Sequence, residues 1–331
     1  MNKNEIINLF NDFNQLNVLV IGDVMIDSYY FGKVDRISPE APVPIVSVQK
    51  RENRLGGAAN VALNIQALGA TPILCAVIGN DEDGKLMNQL LNSQKLSNEG
   101  ILMSNDRITT VKTRIIGNNH QVLRVDSETD KNLNESDNTS FNEKILALLT
   151  SQKIDAVIFE DYDKGTITEN TINTVVDYCS EHNIPTTVDP KKRNFLSYKN
   201  VTLFKPNLKE LKEGLNIEIN PNNILEVAAA VDTLNEILQN SIYFITLSEN
   251  GVYIKTDAED YQVAAHYRNI TDVSGAGDTV ISVASLCLAL NQAPKTIAEI
   301  ANLAGGLVCE KVGVAPIDKD QLLSEAIAKL V

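Results

Sequence analysis

The chain has 331 residues, 44% of them hydrophobic, enough to bury a large core as one α/β domain or two smaller ones. With 43 acidic against 29 basic residues its formal net charge is −14, which argues against nucleic acid or an anionic membrane as a partner, since both need a basic surface. An anionic small-molecule substrate would need local basic groups or a metal.

The N-terminal segment is rich in asparagine, and its longest apolar run, Val18 to Ile21, is too short for a signal peptide or a membrane helix. The first strand-like run, NVLVIGD, ends in Asp23, with Asp27 close behind. Two more strand-like runs, YYFGKVDR and VPIVSVQKR (residues 29–51), follow with no helix between them. GAANVALNIQALG then has helical period, and PILCAVIG reads as the next strand. Gly79 to Lys85, GNDEDGK, has the spacing of a nucleotide-binding P-loop but not its chemistry. Asp81, Glu82 and Asp83 would repel phosphate, and Leu86 stands where a Ser or Thr is required, so a plain strand-to-helix turn is expected.

A second helix-free pair, TTVKTRIIG and HQVLRVDSE (109–128), joins residues 29–51 in predicting a small separate sheet, a lid. SETDKNLNESDNTS (127–140) reads as an exposed loop. IDAVIFED, TINTVVDYCSEHN and PTTVDP resume the alternation of strands and helices. That alternation predicts an α/β fold with a mostly parallel sheet flanked by helices, binding ligands at the carboxyl ends of its strands. Asp23, Asp27, Asp161, Asp189, Lys205 and Asn207 end these runs, so several charges are expected on one rim. No repeat or linker divides the chain, and a single domain over 1–331 is expected. Cys75, Cys179, Cys287 and Cys309 are far apart in apolar surroundings, the cysteine usage of a reducing compartment, so the expectation is a soluble cytoplasmic protein.

DVSGAGDT (272–279) precedes the apolar run VISVASLCLAL, which reads as a buried helix. Gly275, Ala276 and Gly277 let backbone approach a ligand closely and leave N–H groups at a helix N-terminus, an anion site. Asp278 would oppose a bound phosphate. Either it is the general base of a phosphoryl transfer, or it caps the helix.

With these motifs the chain resembles, over essentially its whole length, the ribokinase-like (PfkB) carbohydrate kinases, whose signature contains D-T-x-G-A-G-D. Here the signature reads Asp272, Val273, Ser274, Gly275, Ala276, Gly277, Asp278. GGAAN (Gly56 to Asn60) is similar to the family's sugar-binding di-glycine segment. Within the family the chain most resembles the heptose 7-phosphate kinases, the kinase part of the bifunctional enzyme that leads to ADP-heptose. The residues that carry this are RISPEAPVPIV (Arg36 to Val46), with VDPK (188–191), KPNLKE (205–210), TLSENG (246–251) and DYDKG (161–165).

The resemblance implies transfer of the γ-phosphoryl of ATP to the anomeric hydroxyl of D-glycero-β-D-manno-heptose 7-phosphate. Asp278 would be the base and Gly275, Ala276 and Gly277 the anion hole. Asn207 and Glu210 would serve Mg²⁺ and phosphate, in part through water, although the same pair also reads as a capping box. Ser248 and Gly251 would lie beside the nucleotide, with Asn302 to Gly306 on the adenine side. Asp23, Asp27, Gly56, Gly57 and Asn60 would hold the sugar. Arg36, Arg124, Lys164 and Lys191 are the candidates for its distal phosphate, Arg36 first because it lies in the most diagnostic motif.

K⁺ beside the anion hole and pairing of lids into a homodimer are further implications of the resemblance. Two positions depart from the family pattern: Val273, where a Thr is usual, and Glu160, where a small residue is usual. None of His120, His182 and His266 sits in the H-x-G-H site of the nucleotidyl-transferring domain, so the kinase step alone is expected here, with nucleotidyl transfer on another protein. The alternatives are a kinase for another sugar, such as fructose 6-phosphate or ribose, and a non-catalytic nucleotide or sugar sensor. A dinucleotide-dependent oxidoreductase lacks its G-x-G-x-x-G after the first strand.

Overall fold

The computed structural model describes residues 1–311 and 313–331. Helix α1 (Lys3–Asp12) starts by local chemistry. The Asn2 side chain accepts from the N–H groups of Asn4 and Glu5 while the Glu5 carboxylate accepts from the Asn2 N–H, a capping box. Strand β1 (Asn17–Gly22) follows, then the long strands β2 (Val24–Ile37) and β3 (Pro44–Gly57), helix α2 (Ala58–Ala67), β4 (Thr71–Gly79), α3 (Glu82–Ser93) and β5 (Gly100–Ser104). Next come β6 (Val111–Gly117), β7 (His120–Ser127), α4 (Glu135–Ser151), β8 (Ala156–Glu160), α5 (Glu169–Glu181), β9 (Thr186–Asp189) and β10 (Leu203–Phe204). The chain ends with α6 (Leu208–Leu215), α7 (Ile224–Leu238), β11 (Ile242–Thr246), β12 (Val252–Lys255), β13 (Asp260–Val263), α8 (Ala276–Ala289), α9 (Pro294–Val308) and α10 (Lys319–Leu330).

Nine strands form one sheet in the order β13-β12-β11-β10-β9-β8-β1-β4-β5. β5 through β11 in that order are parallel, and β12 and β13 add an antiparallel edge. Alternation along each strand divides the core in two. Val18 and Val20 of β1 pack with α1, α2, α8, α9 and α10, whereas Leu19 and Ile21 pack with α4, α5 and α7 on the other face. β4 divides in the same way, with Leu74, Ala76 and Ile78 on the first side and Ile73, Cys75 and Val77 on the second. The expected mostly parallel sheet flanked by helices is therefore present.

The second sheet has the order β3-β2-β6-β7, the small separate sheet expected from the helix-free segments. β2 and β3 pair over fourteen residues each, from Val24↔Gly57 at the main sheet to Ile37↔Pro44 at a hairpin tip. GNDEDGK forms the expected turn: Asp81 caps α3 by accepting from the Gly84 N–H at 2.7 Å. SETDKNLNESDNTS is only half loop, because Asn134 accepts from the Asp137 N–H at 2.7 Å and starts α4 inside it. The helical capacity of that stretch was masked by its polarity, since Glu135 and Asp137 suit a first turn as well as a loop.

Candidate active site

Because neighbouring strands are parallel and in step, their last residues meet on one rim. Gly22 pairs with Glu160, and Glu160 with Asp189, while Lys205 directly follows β10. The N-terminus of α8 faces this rim. Gly275, at φ 80°, makes the left-handed turn into the helix, and a Cβ on Gly277 would lie 3.4 Å from Asp189 Oδ2 and 3.8 Å from Lys205 Nζ. α8 has no side-chain cap; the Ala276 N–H bonds the Val273 carbonyl at 3.3 Å, and no acceptor among the described residues takes the N–H of Gly277 or Asp278. Within GAG it is therefore Ala276 whose N–H is taken, while the Gly277 and Asp278 N–H groups stay open as anion-binding donors.

Asp278 is buried and does not cap its own helix. Its Oδ2 accepts from Asn60 Nδ2 at 2.6 Å and its Oδ1 from the Tyr162 hydroxyl at 2.8 Å. Burial pushes its carboxyl above the ordinary aspartate value, the two hydrogen bonds oppose that, Asp189 adds to it, and Lys205 opposes it.

Beside it, the fully buried Lys205 ammonium lies 2.8 Å from Asp189 Oδ2. Burial disfavours both charges, but Lys191 and Lys205 outweigh it and hold Asp189 low, as Asp189 and Glu210 hold Lys205 high. Glu160 is fully buried, and neither carboxylate oxygen has a hydrogen-bond partner among the described residues. Burial, then Asp189 and Asp278, push its carboxyl far up, against the opposing charges of Lys191 and Lys205.

On the sugar side, Asn60 in α2 joins the GGAAN segment to Asp278. Gly57, at φ 62°, turns the chain into α2. Gly56 leaves room for the Asp27 carboxylate, which a Cβ at that position would displace. Asp27 lies on β2, not at the end of β1, and is ion-paired with Arg114. Asp23 also anchors a loop: its buried carboxylate accepts from the N–H groups of Tyr162, Lys164 and Thr166 at 2.9, 3.0 and 3.0 Å, which leaves one acceptor position on Oδ1 for a sugar hydroxyl.

The small sheet turns one face of alternating residues over this rim: Asp27, Tyr29 and Phe31 on β2, with Arg54 and Lys50 on β3 and Lys112 and Arg114 on β6. The Arg54 and Arg114 guanidinium groups lie 5.0 and 5.3 Å from the Tyr29 ring centre. Lys112 has no ion pair among the described residues; burial holds its pKa down, and its ammonium is 5.9 Å from the Tyr162 ring centre. Lys191 lies 5.4 Å from the same ring and is ion-paired with Glu210. Lys164 is paired with Glu128 at 2.7 Å.

Arg36 is a correction: it is exposed, roughly 30 Å along the strand from Asp27, where β2 approaches its hairpin tip. A side chain cannot span that within one chain. Arg124 is exposed on the edge strand β7 and paired with Asp126 at 3.0 Å.

On the other side of α8 an open cleft of about 630 Å³ is lined by Ser248, Gly251, Ala276, Gly277, Asn302, Gly305 and Gly306, among others. It brings the residues expected around a nucleotide into one space. Val273 lines it with an exposed side chain, and Arg268, held by Glu310 and Glu325, lies against Gly306. Asn207 and Glu210 do form a capping box at α6, with Glu210 Oε2 on the Asn207 N–H and Oε1 on Lys191. Glu210 therefore fits Mg²⁺ only through water, and no cluster of three or more His, Cys, Asp or Glu among the described residues could cage a metal. Lys205, Tyr162, Lys112, Arg54 and Arg114 carry no role in the sequence reading. Tyr162 stands inside the quoted DYDKG, and Lys205 was noted only as a rim charge.

The model of the pfkB family carbohydrate kinases matches residues 15–320. The chain belongs to this family. It is a carbohydrate kinase by that membership. It is 40% identical over 316 residues to the bifunctional protein HldE of Desulfatibacillum aliphaticivorans, covering 95% of this chain and 63% of that protein. It is 37% identical over 300 residues to HldE of Helicobacter pylori (strain P12), covering 90% and 64%. The chain thus spans somewhat under two thirds of the length of these relatives. Among solved structures, the phosphofructokinase-2 mutant Y23D from Escherichia coli superposes with TM-score 0.77 at 17% identity, covering 95% of this chain and 99% of that one. Arabidopsis thaliana ribokinase complexed with ribose and ATP gives 0.71 at 15% identity, covering 93% and 98%. These two share the pfkB fold.

Proposed function

We propose that the chain transfers the γ-phosphoryl group of ATP to the anomeric hydroxyl of a heptose 7-phosphate, giving the 1,7-bisphosphate used to make ADP-heptose. The observation that carries the kinase chemistry is the position of Asp278, held by Asn60 of the sugar-side segment at the open N-terminus of α8. The heptose is supported by RISPEAPVPIV and by similarity to the HldE proteins.

In this reading Asp278 takes the proton from the sugar hydroxyl as its oxygen bonds to the γ-phosphorus, and ADP leaves with the electron pair of the broken P–O bond. The Gly277 and Asp278 N–H groups, the α8 dipole and the Lys205 ammonium stabilise charge on the phosphoryl oxygens in a site where burial strengthens each interaction. Mg²⁺, arriving with ATP, would neutralise phosphate charge, and Asn207 and Glu210 would meet its water shell. Asp27, Gly56, Gly57 and Asn60 hold the sugar. Lys112 replaces Arg36 as the first choice for the distal phosphate, because a phosphate there would restore the charge that burial disfavours. Arg114, Arg54, Lys164 and Lys191 complete that cationic face, and the small sheet acts as a lid that excludes water.

ATP-dependent phosphorylation of heptose 7-phosphate, fructose 6-phosphate, ribose and no sugar, each with and without K⁺, tests the reading. A kcat/KM for the heptose phosphate at least about tenfold above the others, ~1.4 kcal/mol of transition-state discrimination, is expected. A preference for fructose 6-phosphate would leave the kinase chemistry standing and overturn the heptose. No turnover with any sugar would favour a sensor.

The outer face of the small sheet exposes Leu123 and Val125 at 53% and 50%, with Ile37 and Val43 at the hairpin tip. This apolar strip supports a homodimer, and light scattering is expected to give twice the chain mass of 36.3 kDa. A monomer at micromolar concentration would refute it. The four cysteines are free and buried, which supports a reducing, cytoplasmic setting, and among the described residues no helix is long and apolar enough to cross a membrane.

A further inference from the structure

Tyr162 sits where three parts of the site meet. Its hydroxyl donates to Asp278 Oδ1 at 2.8 Å, the ammonium groups of Lys191 and Lys112 lie 5.4 and 5.9 Å from its ring centre, and its own N–H is fixed on Asp23 at 2.9 Å. Lys112 comes from the small sheet and Lys191 from the loop after β9, so this one ring touches both sides of the sugar-phosphate space. We propose that Tyr162 is a positioning residue for the base, its hydroxyl holding the Asp278 carboxylate ionised and in one rotamer so that a free lone pair meets the sugar hydroxyl. The proposal rests on the reading of Asp278 as base.

The chemistry of the pair supports it. A carboxylate has about four acceptor positions, so Asn60 and Tyr162 can each take one and leave others for the substrate proton. Burial and the nearby Asp278 carboxylate push the Tyr162 phenol well above its usual value, so it keeps the proton that it donates to Asp278. Asp278 is faced by Asp189 from β9, Lys205 from the loop after β10, and Glu160 from β8. Of these, Asp189 is held low by its lysines, Lys205 is held high by Asp189 and Glu210, and Glu160 is pushed up by burial. The limb is therefore read as a difference between variant and wild type, in which these three groups and the substrate phosphates are common to both enzymes.

The sign follows directly. A hydrogen bond to the charged form lowers the pKa of Asp278; removing it raises that pKa, and activity is then lost at higher pH as the solution is acidified. Tyr162→Phe keeps the ring beside the two ammonium groups and removes only the hydroxyl. The expected result is an acid limb of kcat moved up by about one pH unit, the order of effect of one hydrogen bond to a buried carboxylate, with KM for ATP unchanged. Tyr162→Leu is expected to show the same limb and, having lost the ring, a raised KM for the sugar phosphate. An acid limb at the wild-type position in both variants overturns the proposal, whatever the change in kcat. Asp278→Asn, run alongside, separates the two readings. If it turns over normally the base assignment falls and this proposal with it; if it is inactive while Tyr162→Phe keeps the wild-type limb, only the proposal for Tyr162 falls.

Discussion

Asp278→Asn is expected to lower kcat by about 10²- to 10⁴-fold, the contribution of a positioned general base, with ATP binding left nearly unchanged. The substitution suits the site. An Asn at 278 can accept from Asn60 Nδ2 with its carbonyl and donate with its amide to the Tyr162 oxygen, since a hydroxyl both accepts and donates. In that arrangement the Tyr162 O–H loses its acceptor, so melting curves must show the variant folded before loss of turnover is assigned to the missing base. Stability gives an independent check of sign. The folded-state pKa of Asp278 is raised, so its contribution to stability is fully present below the unfolded value and is lost as pH rises through the folded one. The variant has no such loss, and its melting temperature relative to wild type should rise between acid and neutral pH. Single-turnover phosphorylation, nucleotide titration and melting curves make the comparison. An unchanged kcat would remove Asp278 from the chemistry.

Eight residues of sequence narrow Asp278 to base or cap, the family resemblance favours the base, and the reason so much is legible is physical. A small-residue turn, a buried helix and one carboxylate are local features, and local features are what a single sequence displays. The alternation of strands and helices is local too, which is why the main sheet and the small separate sheet could both be expected. What could not be read was partnership across the chain. Asn60 and Asp278 are 218 residues apart, and Tyr162 and Asp278 are 116 apart, so nothing in either neighbourhood announces the hydrogen bonds.

Arg36 failed for a related reason. A diagnostic motif marks which kinases the chain resembles, but it does not say how far along a fourteen-residue strand its arginine will stand. The loop-anchoring part of Asp23 was hidden in the same way, because its three backbone partners, Tyr162, Lys164 and Thr166, lie 139 to 143 residues away. Glu160 was noticed as a departure from the family pattern, but its missing hydrogen bonds required coordinates.

Lys205→Met should carry the largest combined effect, on stability and on turnover. Lys205 and Asp189 form a buried ion pair, and removing one member leaves a carboxylate with Lys191 at 3.5 Å as its remaining ionic partner. Breaking such a pair costs about 3–5 kcal/mol because the surviving charge is stranded out of water. The loss here should sit near the lower end, since Lys191 still screens Asp189. Turnover should fall by about 10²- to 10³-fold, the scale for deleting one preorganised charge-stabilising group, because the ammonium lies beside the Gly277 turn where the phosphoryl group is expected. Stability and chemistry can be told apart with a double-variant cycle of Lys205→Met and Asp189→Asn. Neutralising both partners removes the stranded charge, so the double variant should recover much of the melting temperature and little of the kcat relative to Asp189→Asn alone. If kcat returned along with stability, Lys205 would be a structural counter-ion, and stabilisation of the phosphoryl group would rest on the α8 N–H groups.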